Sequence, residues 1–160
     1  MKIKNIYYCF FYSFIIVFLI MSSGCAIRGP KFTAIEKISE GEALVYIYRK
    51  SSIFGAANVW ALKVNDSRVA IISNGSYQPI VTSDKQLSIY TKRVRPVIAI
   101  LLSYIFEKEN LLLTLDVELG KTYFFKWKIN PTSVELIQVD EWTGMKEIKK
   151  LRLAEQLKEA

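Results

Sequence analysis

Histidine is absent from the 160 residues, and only two cysteines are present. The missing histidine removes the usual general base, the commonest metal ligand and the one side chain whose unperturbed pKa lies near neutrality. It also excludes Ser-His and Cys-His catalytic pairs, and no serine is followed three residues later by lysine. We therefore expect a protein that is not an enzyme, with no catalytic residue, no metal site and no cofactor.

Long uncharged stretches are scarce, apart from one at the amino terminus. Hydrophobic residues make up 51% of the chain and charged residues 23%, which excludes both a disordered chain and a bundle of membrane helices. Lys2 and Lys4 are followed by an uncharged run over residues 5–27. A basic start and an apolar run are typical of a signal peptide.

The end of that run indicates how the protein is attached. The small residues Ser22, Ser23 and Gly24 precede Cys25, and this order resembles the lipobox of bacterial lipoproteins. The resemblance implies a signal peptide over residues 1–24 and lipid on Cys25. Two alternatives stay open: an uncleaved spanning helix, since the run exceeds about 20 residues, or an ordinary thiol beyond a conventional cleavage site. Each places residues 28–160 outside the cytoplasm.

Cleavage would leave 160 − 24 = 136 residues with no cysteine besides Cys25, so no internal disulfide can form. We assign residues 25–41 to the lipidated cysteine and a tether, and residues 42–160 to a single domain. Short β-branched and aromatic runs separated by turn residues predict a mainly β fold, a sandwich of about seven to eight antiparallel strands. The predicted strands cover 43–48, 59–64, 68–72, 77–82, 87–90, 111–118, 122–129 and 134–139.

Local features refine this sandwich. Residues 65–67 and 119–121 predict hairpin turns, and Pro79 indicates an edge or a bulge. Alternation within 122–129 predicts that Trp127 faces the core. The apolar segment 97–106 permits a short inserted helix near 97–109, a buried strand, or a surface that meets a membrane or a partner.

The carboxy-terminal stretch changes to a helical period, with Met145, Ile148, Leu151, Ala154 and Leu157 at three-residue spacing. This pattern predicts one amphipathic helix over about 145–158 that closes an end of the sandwich. Its outward residues give a possible contact with an anionic membrane surface. That predicted contact set is Lys146, Lys149, Lys150 and Arg152.

Several segments together resemble one family. They are Cys25, Ala-Leu-Val-Tyr-Ile-Tyr-Arg at 43–49, the stretch 113–124, and Val-Asp-Glu at 139–141 with Thr143 and Gly144. They resemble family 2846 of the domains of unknown function, which are small bacterial lipoproteins. The resemblance covers about 42–153 and implies a β-sandwich hung from a lipid anchor, with no settled activity. Residues 83–85 depart from it, since a Pro-Gly turn would be usual there.

These observations lead to three classes of function. We prefer an envelope protein of interaction or structural type, bound to the membrane through its lipid and to an unidentified envelope protein. A binder of a small or polymeric envelope ligand is the alternative, and a hydrolase without histidine comes third, resting on the possible pair Asp116 and Glu118. Nucleic acid is not an expected partner, because acids interleave with the bases. Ala26 resembles the residue after cysteine in lipoproteins sent to the outer membrane, facing the periplasm.

Overall fold

The computed structural model describes residues 29–35, 38–94, 109–130 and 133–157. The predicted signal peptide, Cys25 and the apolar segment 97–106 lie outside the described residues, as does all of the inserted helix near 97–109 except Glu109. The elements follow one another along the chain as eight strands, one helix and two short strands. They are β1 Ala43–Tyr48, β2 Val59–Val64, β3 Ser67–Ile72, β4 Ser76–Thr82, β5 Gln86–Val94, β6 Asn110–Asp116, β7 Thr122–Ile129, β8 Val134–Val139, α1 Glu141–Ile148, β9 Arg152–Leu153 and β10 Glu155–Gln156.

The strands form two five-stranded sheets, which confirms the predicted mainly β sandwich. The first sheet has the order β8-β7-β1-β4-β9 and the second has the order β10-β3-β2-β5-β6. Most neighbours are antiparallel, but β1 runs parallel to β7 and β4 runs parallel to β9. In β2 every second residue is buried, so alternate side chains face the core.

One predicted hairpin is confirmed and the other is wrong. Asn65 takes a positive φ of 50° in the turn between the paired strands β2 and β3. The turn at 119–121 joins strands of different sheets, because β6 pairs with β5 and β7 pairs with β1 and β8. Gly120 donates its N–H to the Glu42 carbonyl, so the turn is bonded to the start of β1. A turn residue alone does not show which strands pair.

Pro79 lies where no described strand pairs with the outer side of β4, which agrees with the predicted edge position. It stands opposite Tyr46 of β1 on one side, while on the other side β9 pairs only with Ser76 and Tyr77. The missing N–H of proline therefore interrupts no ladder.

The inner core lies between the sheets and consists mainly of aliphatic side chains. Trp60 and Trp127 meet there with ring centroids 5.7 Å apart. Trp127 is only 3% exposed, which confirms its predicted direction. The buried members include Val45, Ile47, Leu62, Ile72, Leu87, Ile89 and Phe125.

A second core covers the outer face of the first sheet, so β1 is buried on both faces. We call it the outer core, and it is largely aromatic. Tyr46 and Phe124 stack there with centroids 5.1 Å apart, and Phe32 packs edge-on against Tyr46. Its buried members are Leu44, Tyr46, Tyr48, Tyr77, Phe124, Ile148 and Leu151.

The helix is confirmed near the carboxy terminus, but its predicted extent and position are wrong. It begins after Asp140, whose carboxylate accepts the Thr143 N–H at 2.9 Å, and it ends at Ile148. The chain then becomes extended, because β9 pairs with β4 and β10 pairs with β3. The helix lies on the outer face of the first sheet over Phe124, and does not close an end of the sandwich.

Candidate functional site

A groove opens where the loop after β1 faces α1 and the turn that follows it. Its volume is about 530 Å³. One wall comes from Lys50 and Ser51, and the other from the helix and the turn. The lining residues are Lys50, Ser51, Trp142, Thr143, Lys146, Glu147, Lys150 and Leu151.

The floor of the groove is built around Glu147, whose side chain is 17% exposed. Its carboxylate accepts hydrogen bonds from Tyr48 Oη at 2.8 Å, Lys50 Nζ at 2.8 Å and Lys126 Nζ at 3.1 Å. Burial alone would raise the pKa of Glu147, but these hydrogen bonds outweigh it and lower the pKa. Burial and the bond to Glu147 raise the pKa of Tyr48. Glu147 is therefore an ionised clamp between β1, β7 and α1, and not a free general base.

The rim of the groove is aromatic and basic. Trp142 is 71% exposed, and Lys146 Nζ lies 4.6 Å from its ring centroid. Lys50, Lys146 and Lys150 line the groove together with a single carboxylate, that of the half-buried Glu147, so their combined charge exceeds that of Glu147. An exposed indole beside excess positive charge suits an anionic ligand or an anionic membrane surface.

The structure places all four predicted contact residues on the exposed surface. Lys146 and Lys150 line the groove, whereas Arg152 lies beyond Leu151, where its guanidinium donates to the Gly29 carbonyl at 3.1 Å. The sequence pattern missed Lys50, which joins them from about a hundred residues earlier. Only the long-range pairing of β1 with the rest of the sheet brings Lys50 to this place.

The described part of the predicted tether, residues 29–35, lies along the carboxy-terminal segment. Phe32 donates its N–H to the Leu151 carbonyl at 3.1 Å, and Leu153 donates to the Pro30 carbonyl at 2.9 Å. Gly29 is so close to Leu153 that a Cβ there would meet its carbonyl oxygen. Gly29 is four positions after Cys25, and four extended residues span at most about 14 Å. Cys25 is therefore held within that distance of Gly29, which Arg152 contacts.

The two carboxylates predicted on one strand face have separate partners. Asp116 accepts a hydrogen bond from Gln86 at 2.9 Å in β5, and Glu118 lies past the end of β6, where it forms an ion pair with Lys121. Within the described ranges, no group of three or more Cys, Asp or Glu side chains is placed to hold a metal ion.

In the part of the chain that the structure describes, no helix has the length and apolar character needed to cross a bilayer. Comparison with known proteins finds no matching family model, no matching curated protein and no matching solved structure. The resemblance to family 2846 therefore stays a prediction.

Proposed function

We propose that the protein is a lipid-anchored domain of the bacterial cell envelope, attached through Cys25, which acts by interaction and not by catalysis. The observation that supports this most is the position of Gly29. The chain leaves the described domain beside Arg152, four residues after the candidate lipidation site. An anchor at Cys25 would hold the carboxy-terminal edge of the first sheet next to the bilayer.

The charges at this edge suit a membrane surface. Lys31, Lys149, Lys150 and Arg152 are exposed around the exit of the chain, and Glu155 is the exposed acid of the same segment. Each basic residue close to an anionic leaflet contributes about 1 kcal/mol, and each buried methylene of an acyl chain about 0.8 kcal/mol. Lipid would supply most of the affinity, and the basic edge would orient the domain.

A non-catalytic role agrees with the contacts of three carboxylates. Glu147 is neutralised by two lysines, while Asp116 and Glu118 are held by separate partners. General acid–base catalysis needs a carboxyl group that can reach a substrate with its protonation state free to change. We infer that the domain presents its surface to another envelope protein, and that a hydrolase without histidine is the least supported class.

The groove supports a second candidate function, the binding of an anionic envelope ligand. Trp142 at its rim is 71% exposed, while Trp60 and Trp127 are 5% and 3% exposed. Glycerol phosphate carries the head-group chemistry of an anionic lipid. Titration of the protein with glycerol phosphate should then change the fluorescence emission of Trp142, and this change should reach saturation. A Trp142→Phe variant that shows the same change would exclude the groove as the binding site.

Fractionation of cells tests the anchor itself. Cys25→Ala should prevent lipidation, so the chain should accumulate as the uncleaved 160-residue precursor or leave the membrane. Cys9→Ala is the matched control, because this second cysteine lies within the apolar run and should have no role in attachment. Equal size and equal membrane association of both variants would favour a spanning helix instead. Separation of the two membranes on a density gradient tests the outer-membrane assignment.

A further inference from the structure

The loop between β1 and β2 displays two apolar side chains at its tip. Ile53 is 99% exposed and Phe54 is 62% exposed, the highest and third-highest values among the exposed large hydrophobic residues of the described chain. The loop, residues 49–58, contains no acid. Isolated apolar side chains are common on surfaces, but a pair that projects from one loop tip invites a partner.

Internal contacts hold the loop in this shape. Arg49 is 2% exposed, and its guanidinium donates to the carbonyls of Asn58 and Gly55 at 2.6 Å each. Asn58 also donates its N–H to the Gly55 carbonyl at 2.9 Å, and Gly55 takes a φ of 69°, which favours glycine. Burial lowers the pKa of Arg49 to about 10. A buried guanidinium that bonds two carbonyls braces the loop, so little conformational entropy remains to be lost when the tip binds.

The loop lies at the same end of the first sheet as the exit of the chain. Ser52 donates its N–H to Asn74 Oδ1 at 2.9 Å, and the neighbouring Gly75 accepts the Arg152 N–H at 3.1 Å. Arg152 in turn contacts Gly29. The turn Asn74-Gly75 therefore connects the base of the loop with Arg152, and through Arg152 with Gly29.

The two ends of the sandwich differ in charge. Lys50, Lys150 and Arg152 are exposed at the loop end. At the opposite end, beyond the turn that joins β2 and β3, Asp66 and Asp84 lie together with Lys85, and Asp116 joins them through Gln86, so acids outnumber bases there. An anionic leaflet would attract the first end and repel the second.

We propose that Ile53 and Phe54 insert into the bilayer surface as a second attachment point, so that the domain rests on its loop end. This inference builds on the proposed lipid anchor. The binding partner is the lipid itself. Its acyl chains surround the two apolar side chains, and its head-group phosphates pair with Lys50 and Lys150. The short distance from Gly29 to Cys25 brings the loop end to the membrane, and the braced loop presents its tip there.

Tryptophan quenching in the full-length, lipidated chain tests the insertion. Trp142→Phe leaves only the two buried tryptophans, and Phe54→Trp then adds an indole at the loop tip. The vesicles are made of phosphatidylglycerol and phosphatidylcholine whose acyl chains are brominated near the glycerol, and bromine quenches a nearby indole. Because an inserted interfacial residue lies about 5–10 Å into the boundary of head groups and chains, the tip indole should lose about half of its emission or more.

A matched control stands at the other end of β1. Leu119 is 38% exposed beside Gly120, which bonds the start of that strand, so Leu119→Trp in the same background should stay unquenched. Quenching of the tip no stronger than that of Leu119→Trp, in chains that float with the vesicles, would overturn the insertion and leave the anchor intact. Chains that fail to float would overturn both. A blue-shifted but unquenched tip would show that protein covers it and would also overturn the insertion.

Discussion

Each face of the first sheet carries a buried core, but the two cores are built differently. The inner face packs on a second sheet through aliphatic side chains and two tryptophans. The outer face is aromatic and is covered by α1, the segment 29–35 and the turn at Leu151. The inner core therefore joins the two sheets, whereas the outer core holds the described segments 29–35 and 149–153 and so positions the groove and the exit beside Gly29.

This difference teaches where function can be sought. Here the space between the two sheets is filled by side chains, while the short segments on the other face leave a groove at their border. Trp142 and Glu147 come to the groove because α1 must cover Phe124 and Tyr48. The same outer core binds Phe32 and so brings the amino-terminal segment to the basic edge.

The largest expected effect comes from the inner core. Trp127→Ala should lower the free energy of unfolding by roughly 3–5 kcal/mol, because it opens a cavity against Trp60. Denaturant unfolding followed by circular dichroism measures it. Trp127→Phe is the control: Trp127 Nε1 is buried without a hydrogen-bond partner, so its removal should offset part of the lost volume. Equal losses in both variants would contradict the packing described for this face.

Packing in the outer core predicts that a substitution favoured by helix propensity will lower the stability of the protein. Gly144→Ala should stabilise an isolated helix by up to about 1 kcal/mol. Here the added Cβ would collide with the Phe124 ring, so the variant should lose about 1–3 kcal/mol instead. Gly41→Ala is the control, since a Cβ at Gly41 meets nothing within 4 Å. Thermal unfolding distinguishes the two, and a more stable Gly144→Ala protein would show that α1 does not lie on this face.

The Glu147 clamp should give a smaller, pH-dependent effect. A lowered pKa means that Glu147 stabilises the fold above its ordinary value of 4.5 and loses that contribution as the pH falls through the lowered value. Glu147→Gln should cost about 1–3 kcal/mol near neutral pH, and the difference from the parent should shrink in acid. Glu40→Gln, which removes an exposed carboxylate before β1, is the control. A constant difference from about pH 7 to pH 3 would contradict the clamp.

The basic edge and the neighbouring Lys146 should affect stability least. Changing Lys146, Lys149, Lys150 and Arg152 to Gln should alter the free energy of unfolding by about 0.5 kcal/mol or less at each exposed site. It should, however, reduce quenching of Trp142 by brominated phosphatidylglycerol to the level in phosphatidylcholine. Lys85→Gln with Lys121→Gln, at the other end of the domain, should leave that quenching unchanged. Equal Trp142 quenching in both lipids for the parent chain would remove the orienting role of this edge.

The strands were predictable because their signal is local. The runs 43–48, 59–64, 122–129 and 134–139 agree with β1, β2, β7 and β8, since alternation and turn residues act within a few positions. The uninterrupted apolar run of β1 also agrees with burial on both faces, as in strands covered on both sides.

The site was much less predictable, because it depends on distant pairings. Glu147 gains its partners Lys50 and Lys126 only when β1 and β7 lie side by side under α1. The three-residue spacing of Ile148, Leu151 and Ala154 predicted a longer helix. These side chains are indeed buried, but Leu151 and Ala154 lie outside the helix, on either side of the short strand β9 that pairs with β4. Tertiary pairing overrode the local period there.

The most direct test of the account is the chemical state of the amino terminus in protein extracted from membranes. Mass spectrometry should find a first peptide that begins at Cys25 and carries acyl chains, which would set the anchor four residues before Gly29 and beside the basic edge. A peptide that begins at Met1, or an unmodified Cys25 within a longer peptide, would contradict the lipid anchor and the placement of the domain that rests on it.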